Sequence, residues 1–445
     1  MIKVITYGTY DLLHHGHIRL LERAKELGDY LIVGVTADSF DLTRGKINVQ
    51  QSLIERIEAV RATGIADEII VEEYEGQKID DIKKYNVDIF TVGSDWIGHF
   101  DYLHEYCKVV YLDRTQGISS TEIRSKRSEV KLGIVGSVPF VNKFYRESHF
   151  VNGVKIVGIC TQEADVLDTE IRNSIPVFGD IRNLLEICDA LYFITSPVSR
   201  YDEVYYALEK GKHVLCESPI CVSTKEWQIL KHKADSQGCV LMDALRTAYS
   251  TAFARLLVLI KSGKIGEVVS VDATCTSLRE VMNTGPYDIS KIWNSICTWG
   301  PTALLPIFNL LGTQYIQKTI VSRKRGNNYD SFTKIMFLFS HAVASIKVGQ
   351  GIKSEGELIV SGTKGYAYVP APWWKTEYFE LRYENPADNK RYFYQLEGEG
   401  IRQELVTFIK CISSRKYTPQ IDDEISLSIV KIMEDYFCTK DVINI

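Results

Sequence analysis

Two histidines three residues apart, His14 and His17, close the stretch Tyr7-Gly8-Thr9-Tyr10-Asp11-Leu12-Leu13-His14-His15-Gly16-His17, which follows an apolar run at Val4 and Ile5. On the first turn of a helix that spacing aims both rings the same way. Gly16 lets the backbone come close to whatever they touch. Backbone N–H groups at a helix N-terminus attract negative charge, so the chemistry to expect is the binding of a polyphosphate. His15, between the two, should point elsewhere and serve structure. Asp11 is either a residue that starts the helix or a nucleotide contact. A second candidate stretch is Arg114-Thr115-Gln116-Gly117-Ile118-Ser119-Ser120-Thr121-Glu122-Ile123-Arg124. Ser119 and Glu122 have capping-box spacing, which predicts a helix start. Arg114, Gly117 and three consecutive hydroxyls ahead of that helix suit a phosphate cradle.

The elements that must position these residues are legible in the pattern. Apolar runs of strand character recur at 2–7, 30–36, 69–72, 88–93 and 108–112, with helical patterns near 16–27, 51–63, 78–84 and 99–106. Short alternation of this kind predicts a doubly wound parallel sheet. Such sheets bind ligands at the carboxyl ends of their strands, and the histidine stretch begins at the carboxyl end of the first.

The whole chain has 445 residues, which calls for more than one core. Hydrophobic content of 45% and charged content of 24% fit a globular protein. A net charge of −5 argues against a general nucleic-acid binder. Met1 leads directly into a core strand without a signal peptide, and no apolar run reaches the roughly 20 residues of a membrane span. The ten cysteines include no Cys-x-x-Cys pair, which suggests reduced, buried thiols and no zinc cluster. A cytoplasmic, multidomain α/β protein is expected, with boundaries at 1–129, 130–250 and 251–445.

The first 129 residues resemble the glycerol-3-phosphate cytidylyltransferase family. That family carries G-T-[FY]-D-L-L-H-x-G-H after a strand and R-T-x-G-I-S-[ST]-T later; both stand here, at 8–17 and 114–121. Lys46, Arg56, Lys78 and Gly93-Ser94-Asp95-Trp96 also match. The resemblance implies a nucleotidyltransferase: the phosphate of a polyol phosphate attacks the α-phosphorus of CTP and pyrophosphate leaves. It implies that His14 and His17 donate to the phosphates, and that Lys46 and Arg114 hold the triphosphate as further catalytic groups. Thr9, Tyr10, Gly16, Thr115, Gly117, Ile118, Ser119, Ser120 and Thr121 would complete the CTP site. Arg44 and Lys78 would hold the second substrate's phosphate. Mg²⁺ is implied with CTP, bound through phosphate oxygens and water rather than by a protein metal site. Asp95-Trp96 either closes a strand or lies near the base or polyol. Two departures bear on the acceptor: Arg44 replaces the usual lysine, putting a planar fork where a point charge stood, and a basic residue near Gly64 is absent unless Arg61 serves.

Residues 122–131 contain no Pro or Gly and predict a short basic helical junction. Beyond it, strands at 154–160, 190–195 and 213–216 with helices near 181–188 and 201–210 predict a Rossmann-like half. Strands at 267–276, 332–349, 356–369 and 376–382, with helices near 400–413 and 424–437, predict an α+β half with a mostly antiparallel sheet. This part resembles the glucose-fructose oxidoreductase and inositol dehydrogenase family, through Ala207 to Glu217, Gly263 to Glu267 and Gly362 to Tyr366. The chemistry departs from it. The glycine turn reads Gly136-Ser137-Val138-Pro139-Phe140-Val141, Ser218 stands where that family has a lysine, and Thr298 to Thr302 matches its D-x-G-x-H without the histidine. NAD(P) is thus a cofactor that the fold implies and the motifs do not support. Trp293, Trp299, Trp373 and Trp374 line a cleft or fill the core.

Three functions compete on this sequence. One is a cytidylyltransferase making an activated polyol for teichoic-acid-like or capsular polymer synthesis, with an inactive second half. Another is a bifunctional enzyme whose second half is a reductase that makes the polyol phosphate. The last gives the second half an assembly role, and a homodimer or higher homo-oligomer is expected.

Overall fold

The computed structural model describes residues 1–445 except 38–48, 50, 52, 75, 114–128, 137–139, 279–292, 325–328, 395 and 414–418. The chain forms two compact units, Met1–Glu129 and Val130–Ile445.

In the first unit, β1 (Lys3–Gly8), β2 (Tyr30–Thr36), β3 (Glu68–Glu72), β4 (Ile89–Gly93) and β5 (Lys108–Leu112) form one parallel sheet in the order β3-β2-β1-β4-β5. Val4 and Ile5 on the central strand and Leu31, Ile32 and Val33 beside it are fully buried. Such continuous apolar runs are what a strand covered on both faces needs. The chain winds from β1 outward through β2 and β3, then crosses back to place β4 on the other side of β1. That reversal opens a crevice at the carboxyl ends of β1 and β4. Covering helices are His15–Lys25, Leu53–Ala62 and Gln77–Tyr85. The helix expected over 99–106 is a 3-10 turn, Asp101–Glu105, short enough to tuck Phe100 and Leu103 into the core.

The second unit begins with a six-stranded parallel sheet. Its strands are β6 (Val130–Val135), β7 (Val154–Cys160), β8 (Val177–Phe178), β9 (Ala190–Phe193), β10 (His213–Glu217) and β11 (Leu241–Ala244), in the order β11-β10-β9-β6-β7-β8. A nine-stranded, mostly antiparallel sheet follows: β12 (Val268–Ser277), β13 (Gln317–Lys324), β14 (Asp330–Leu338), β15 (Val343–Gln350), β16 (Leu358–Gly362), β17 (Tyr366–Val369), β18 (Tyr378–Arg382), β19 (Lys390–Phe393) and β20 (Val442–Asn444). The segments 332–349 and 356–369, read as single strands, are each a hairpin. The helix Ser295–Leu311 is apolar nearly all round and largely buried, which explains why no amphipathic period marked it. All ten cysteines are free. Burial pushes the thiols of Cys160, Cys188 and Cys216 up to about 11, so they behave as small hydrophobes.

Candidate active site

The turn after β1 is built from backbone that few side chains adopt. Tyr10 (φ 52°) and Leu12 (φ 48°) are both left-handed, a region disfavoured for residues other than Gly. Tyr10 folds back under the turn and is 2% exposed; a Cβ on Gly8 would come within 2.9 Å of its ring. The same ring meets His17 edge-on at 5.6 Å between centroids. Of the residues expected to contact the nucleotide, Tyr10 therefore lies beneath the site, where it sets the position of His17.

His14 is the N-cap of the helix His15–Lys25, and its Nδ1 accepts the Gly16 backbone N–H at 3.1 Å. An Nδ1 that accepts leaves the proton of the neutral ring on Nε2, so His14 presents a donor from Nε2. One amide expected to be free for a ligand is instead consumed in aiming this ring. His14 and His17 stack with centroids 3.9 Å apart and planes 21° from parallel, as their spacing predicted. His15 is exposed.

Arg56 holds the turn in place. It is fully buried; its Nη1 donates to Thr9 O at 2.7 Å and to Thr36 O at 2.8 Å, and its Nε to Gln51 O at 3.2 Å. One guanidinium thus ties the segments after β1 and β2 to the chain leading into the helix Leu53–Ala62. Gln51 completes the clasp: its N–H donates to Asp11 Oδ1 at 3.0 Å, and its Oε1 accepts from Leu12 N at 2.8 Å. Asp11 is 1% exposed and serves the turn through that bond. Sequence reasoning noted Arg56 only as a matching residue and missed this role. The signal was present, because Leu53, Arg56, Ile57 and Val60 follow the i, i+3, i+4, i+7 spacing of a core-facing stripe with an arginine inside it.

Lys78, expected to hold the acceptor phosphate, lies 6% exposed in a close ion pair with Glu72. Its Nζ stands 4.6 Å from the centroid of Tyr7 and 5.4 Å from that of Phe100. Around it, Thr36 Oγ1 donates to Glu72 at 3.0 Å, and Tyr7 OH donates to Asp81 Oδ2 at 2.9 Å. Burial, then Asp81, raises the Tyr7 phenol well above its ordinary range, so it remains a donor. Trp96, in the short 3-10 turn Ser94–Trp96 after β4, packs on Phe100 and His99. Arg44, Lys46 and Arg114 to Thr121, with Thr115, Gly117, Ile118, Ser119 and Ser120 among them, lie outside the described residues, as do the junction 122–128 and the turn 137–139. Among the described residues no group of three or more His, Cys, Asp or Glu could hold a metal ion.

In the second unit, Gly136 follows β6 with φ 137°, and a Cβ there would meet Ile194 at 3.2 Å. The chain thus keeps the glycine that starts a dinucleotide turn. The positions for hydride chemistry read otherwise. Ser218 is buried after β10. Thr298 Oγ1 donates to Asn294 O at 2.8 Å and accepts from Gln350 Nε2 at 2.7 Å, and Thr302 is buried inside the helix. None of these three hydroxyls is an acid of useful strength near neutral pH. These positions do not fit the proton transfer that accompanies reduction by NAD(P)H. Trp373 is core, 2% exposed, with Nε1 donating to Thr274 O at 3.1 Å; Trp293 instead lies over the Arg200 guanidinium at 5.0 Å.

Residues 5–126 match the family described as Cytidylyltransferase-like, and residues 130–244 the one described as Oxidoreductase family, NAD-binding Rossmann fold. A glycerol-3-phosphate cytidylyltransferase from Bacillus spizizenii is 52% identical over 124 residues, which are 28% of this chain and 95% of that protein. One from Staphylococcus aureus is 48% identical over 130 residues, 28% of this chain and 95% of that protein. Among solved structures, a 3-ketoreductase from Actinomadura kijaniata, in complex with NADP and TDP-benzene, superposes with a TM-score of 0.63 at 17% identity. It covers 72% of this chain and 99% of its own, a likeness of fold.

Proposed function

Because the chain belongs, through its first 126 residues or so, to the cytidylyltransferase family and is a nucleotidyltransferase, we propose that it transfers CMP from CTP to a polyol phosphate, with glycerol 3-phosphate as the acceptor. In that reaction a phosphate oxygen of the acceptor bonds to the α-phosphorus of CTP. The bond from that phosphorus to the bridging oxygen of the β-phosphate breaks, and pyrophosphate leaves. The observation that carries this reading is the stacked pair His14 and His17 at the carboxyl end of the central strand. Two imidazoles held 3.9 Å apart can donate to the phosphate oxygens on which charge develops, and phosphoryl-type transfer needs chiefly such positioning and charge stabilisation. Mg²⁺ would add charge neutralisation on the phosphates. Lys46, Arg114 and the 115–121 stretch are proposed as the remaining CTP contacts, and Arg44 and Lys78 as acceptor contacts, on the strength of the motif match. The product would be CDP-glycerol, an activated polyol for cell-surface polymer synthesis, made where CTP is found, in the cytoplasm. No helix among the described residues is long and apolar enough to cross a membrane.

His14→Ala or His17→Ala is expected to lower pyrophosphate release from CTP plus glycerol 3-phosphate by at least a hundredfold. Near wild-type turnover in either variant would remove the pair from the mechanism. A panel of glycerol 3-, glycerol 2-, ribitol 5- and erythritol 4-phosphate, scored the same way, tests the acceptor. For the second unit we propose a non-catalytic role, since Ser218 and Thr302 stand where hydride transfer needs a proton donor. Turnover of NADH or NADPH with a keto-sugar phosphate would refute that.

A further inference from the structure

We propose that the second unit binds an oxyanion, the carboxylate or phosphoryl group of a small metabolite, on the unpartnered edge of Arg200 beside the carboxyl ends of β9 and β10. Arg200 is fully buried. Its Nη1 is spoken for, donating to Glu217 O at 2.8 Å and to Cys216 Sγ at 2.9 Å. The guanidinium carbon lies over the Trp293 ring, 5.0 Å from its centroid. The opposite edge is another matter: Nε and Nη2 are both buried with no hydrogen-bond partner, and no carboxylate among the described residues pairs with this cation.

Those two nitrogens form the edge of the guanidinium fork whose parallel N–H groups match two oxygens of one carboxylate or phosphate. A guanidinium removed from water with that edge empty is costly, and an anion that fills it relieves the cost. The neighbouring acid does not fill it, because Asp243 Oδ2 accepts from Ser426 Oγ instead. A second unpartnered group lies on the same loop. Thr195 Oγ1, between β9 and Arg200, is also buried without a partner and offers a further donor. Both residues follow β9, at the point where the sheet order reverses between β9 and β6, and parallel sheets bind ligands at such reversals. The site requires no proton donor, so it is compatible with the loss of hydride chemistry.

The test uses the full chain and two probes, inorganic phosphate and malonate, titrated at constant ionic strength against chloride. Tryptophan fluorescence and calorimetry report binding. At least one probe is expected to saturate. Phosphate alone assigns a phosphoryl ligand, malonate alone a carboxylate, and both a site that reads the shared oxyanion. Arg200→Gln is expected to weaken that binding at least tenfold. Arg200→Lys, which keeps the charge and loses the fork, should fall between and guards against a folding defect in the first variant. Trp293→Phe should keep calorimetric binding and lose most of the optical change. Failure of both probes to saturate, or equal binding by Arg200→Gln, overturns the proposal. Pyrophosphate release from CTP, followed in the same samples, reports on the first unit and separates a failure there from one here.

Discussion

Arg56 shows how much of an active site can rest on a side chain that need not touch substrate. Among the described residues its hydrogen bonds fix the carbonyls of Thr9, Thr36 and Gln51 at once, and the turn that aims His14 depends on the first of them. Arg56→Lys keeps the charge but cannot span three acceptors. It is expected to cost roughly 1–3 kcal/mol, the range for buried polar groups left unpaired, and at least tenfold in kcat/KM for CTP. Urea unfolding followed with turnover measurements checks both; full activity with lowered stability would make Arg56 a core residue only. The pairing of the two histidine rings was legible at this scale, since type and spacing define His14 and His17. The clasp of Arg56, Gln51 and Asp11 was not. Its partners are 40 or more positions apart in the case of Asp11–Gln51 and Thr9–Arg56, and its acceptors are mostly backbone carbonyls, which carry no signature in side-chain identity.

At the scale of elements, close approach decides what each strand tolerates. A Cβ on Gly34 of β2 would fall 2.2 Å from the Tyr7 ring on β1. That ring cannot yield easily, because its hydroxyl is bonded to Asp81 and Lys78 lies over its face. Gly34→Ala is therefore expected to destabilise the first unit by about 1–3 kcal/mol through overpacking, read as a lower urea midpoint of that unit. An unchanged midpoint would mean that Tyr7 repacks freely. The five parallel strands of the first unit were readable because each is a continuous apolar run. The hairpins β14–β15 and β16–β17 merged into single strands because their turns are short and flanked by apolar residues. The helix Ser295–Leu311 was hidden for the opposite reason: with apolar residues on every side and two prolines inside, it shows neither periodicity nor the expected breakers' effect.

For the whole molecule, the buried acids set a pH dependence. Burial raises the carboxyls of Asp243 and Asp330 to about 6, and that of Glu404 well above its ordinary value. Each folded-state value then exceeds the unfolded one, so the folded chain holds protons that the unfolded chain has released. Stability from the two aspartates is present at low pH and declines as pH climbs from about 4 through 6. Asp243→Asn mimics the protonated form. Its stability relative to the parent chain should increase between pH 5 and 7.5, by roughly 1.5 kcal/mol. Tryptophan fluorescence reports chiefly the second unit here, because five of the six tryptophans lie in it and Trp96 alone in the first; a difference that shrinks with pH would contradict the assignment. Relatives that the first unit nearly covers from end to end are whole proteins. Residues 1–129 alone are therefore expected to release pyrophosphate within about threefold of the full chain's rate, whereas a loss of several orders would show that catalysis needs the second unit.

Leu12 gives the histidine turn an evolutionary consequence. Its left-handed backbone, at φ 48°, costs of order 1 kcal/mol that glycine would not incur. A screen for heat resistance alone should find Leu12→Gly early, since the substitution removes that strain. The same change would widen the range of conformations open to the segment between Thr9 and His14, so the survivors should melt higher and turn over more slowly. Mutants recovered under selection for turnover should instead keep a side chain at position 12, and the two screens would pull this one residue in opposite directions.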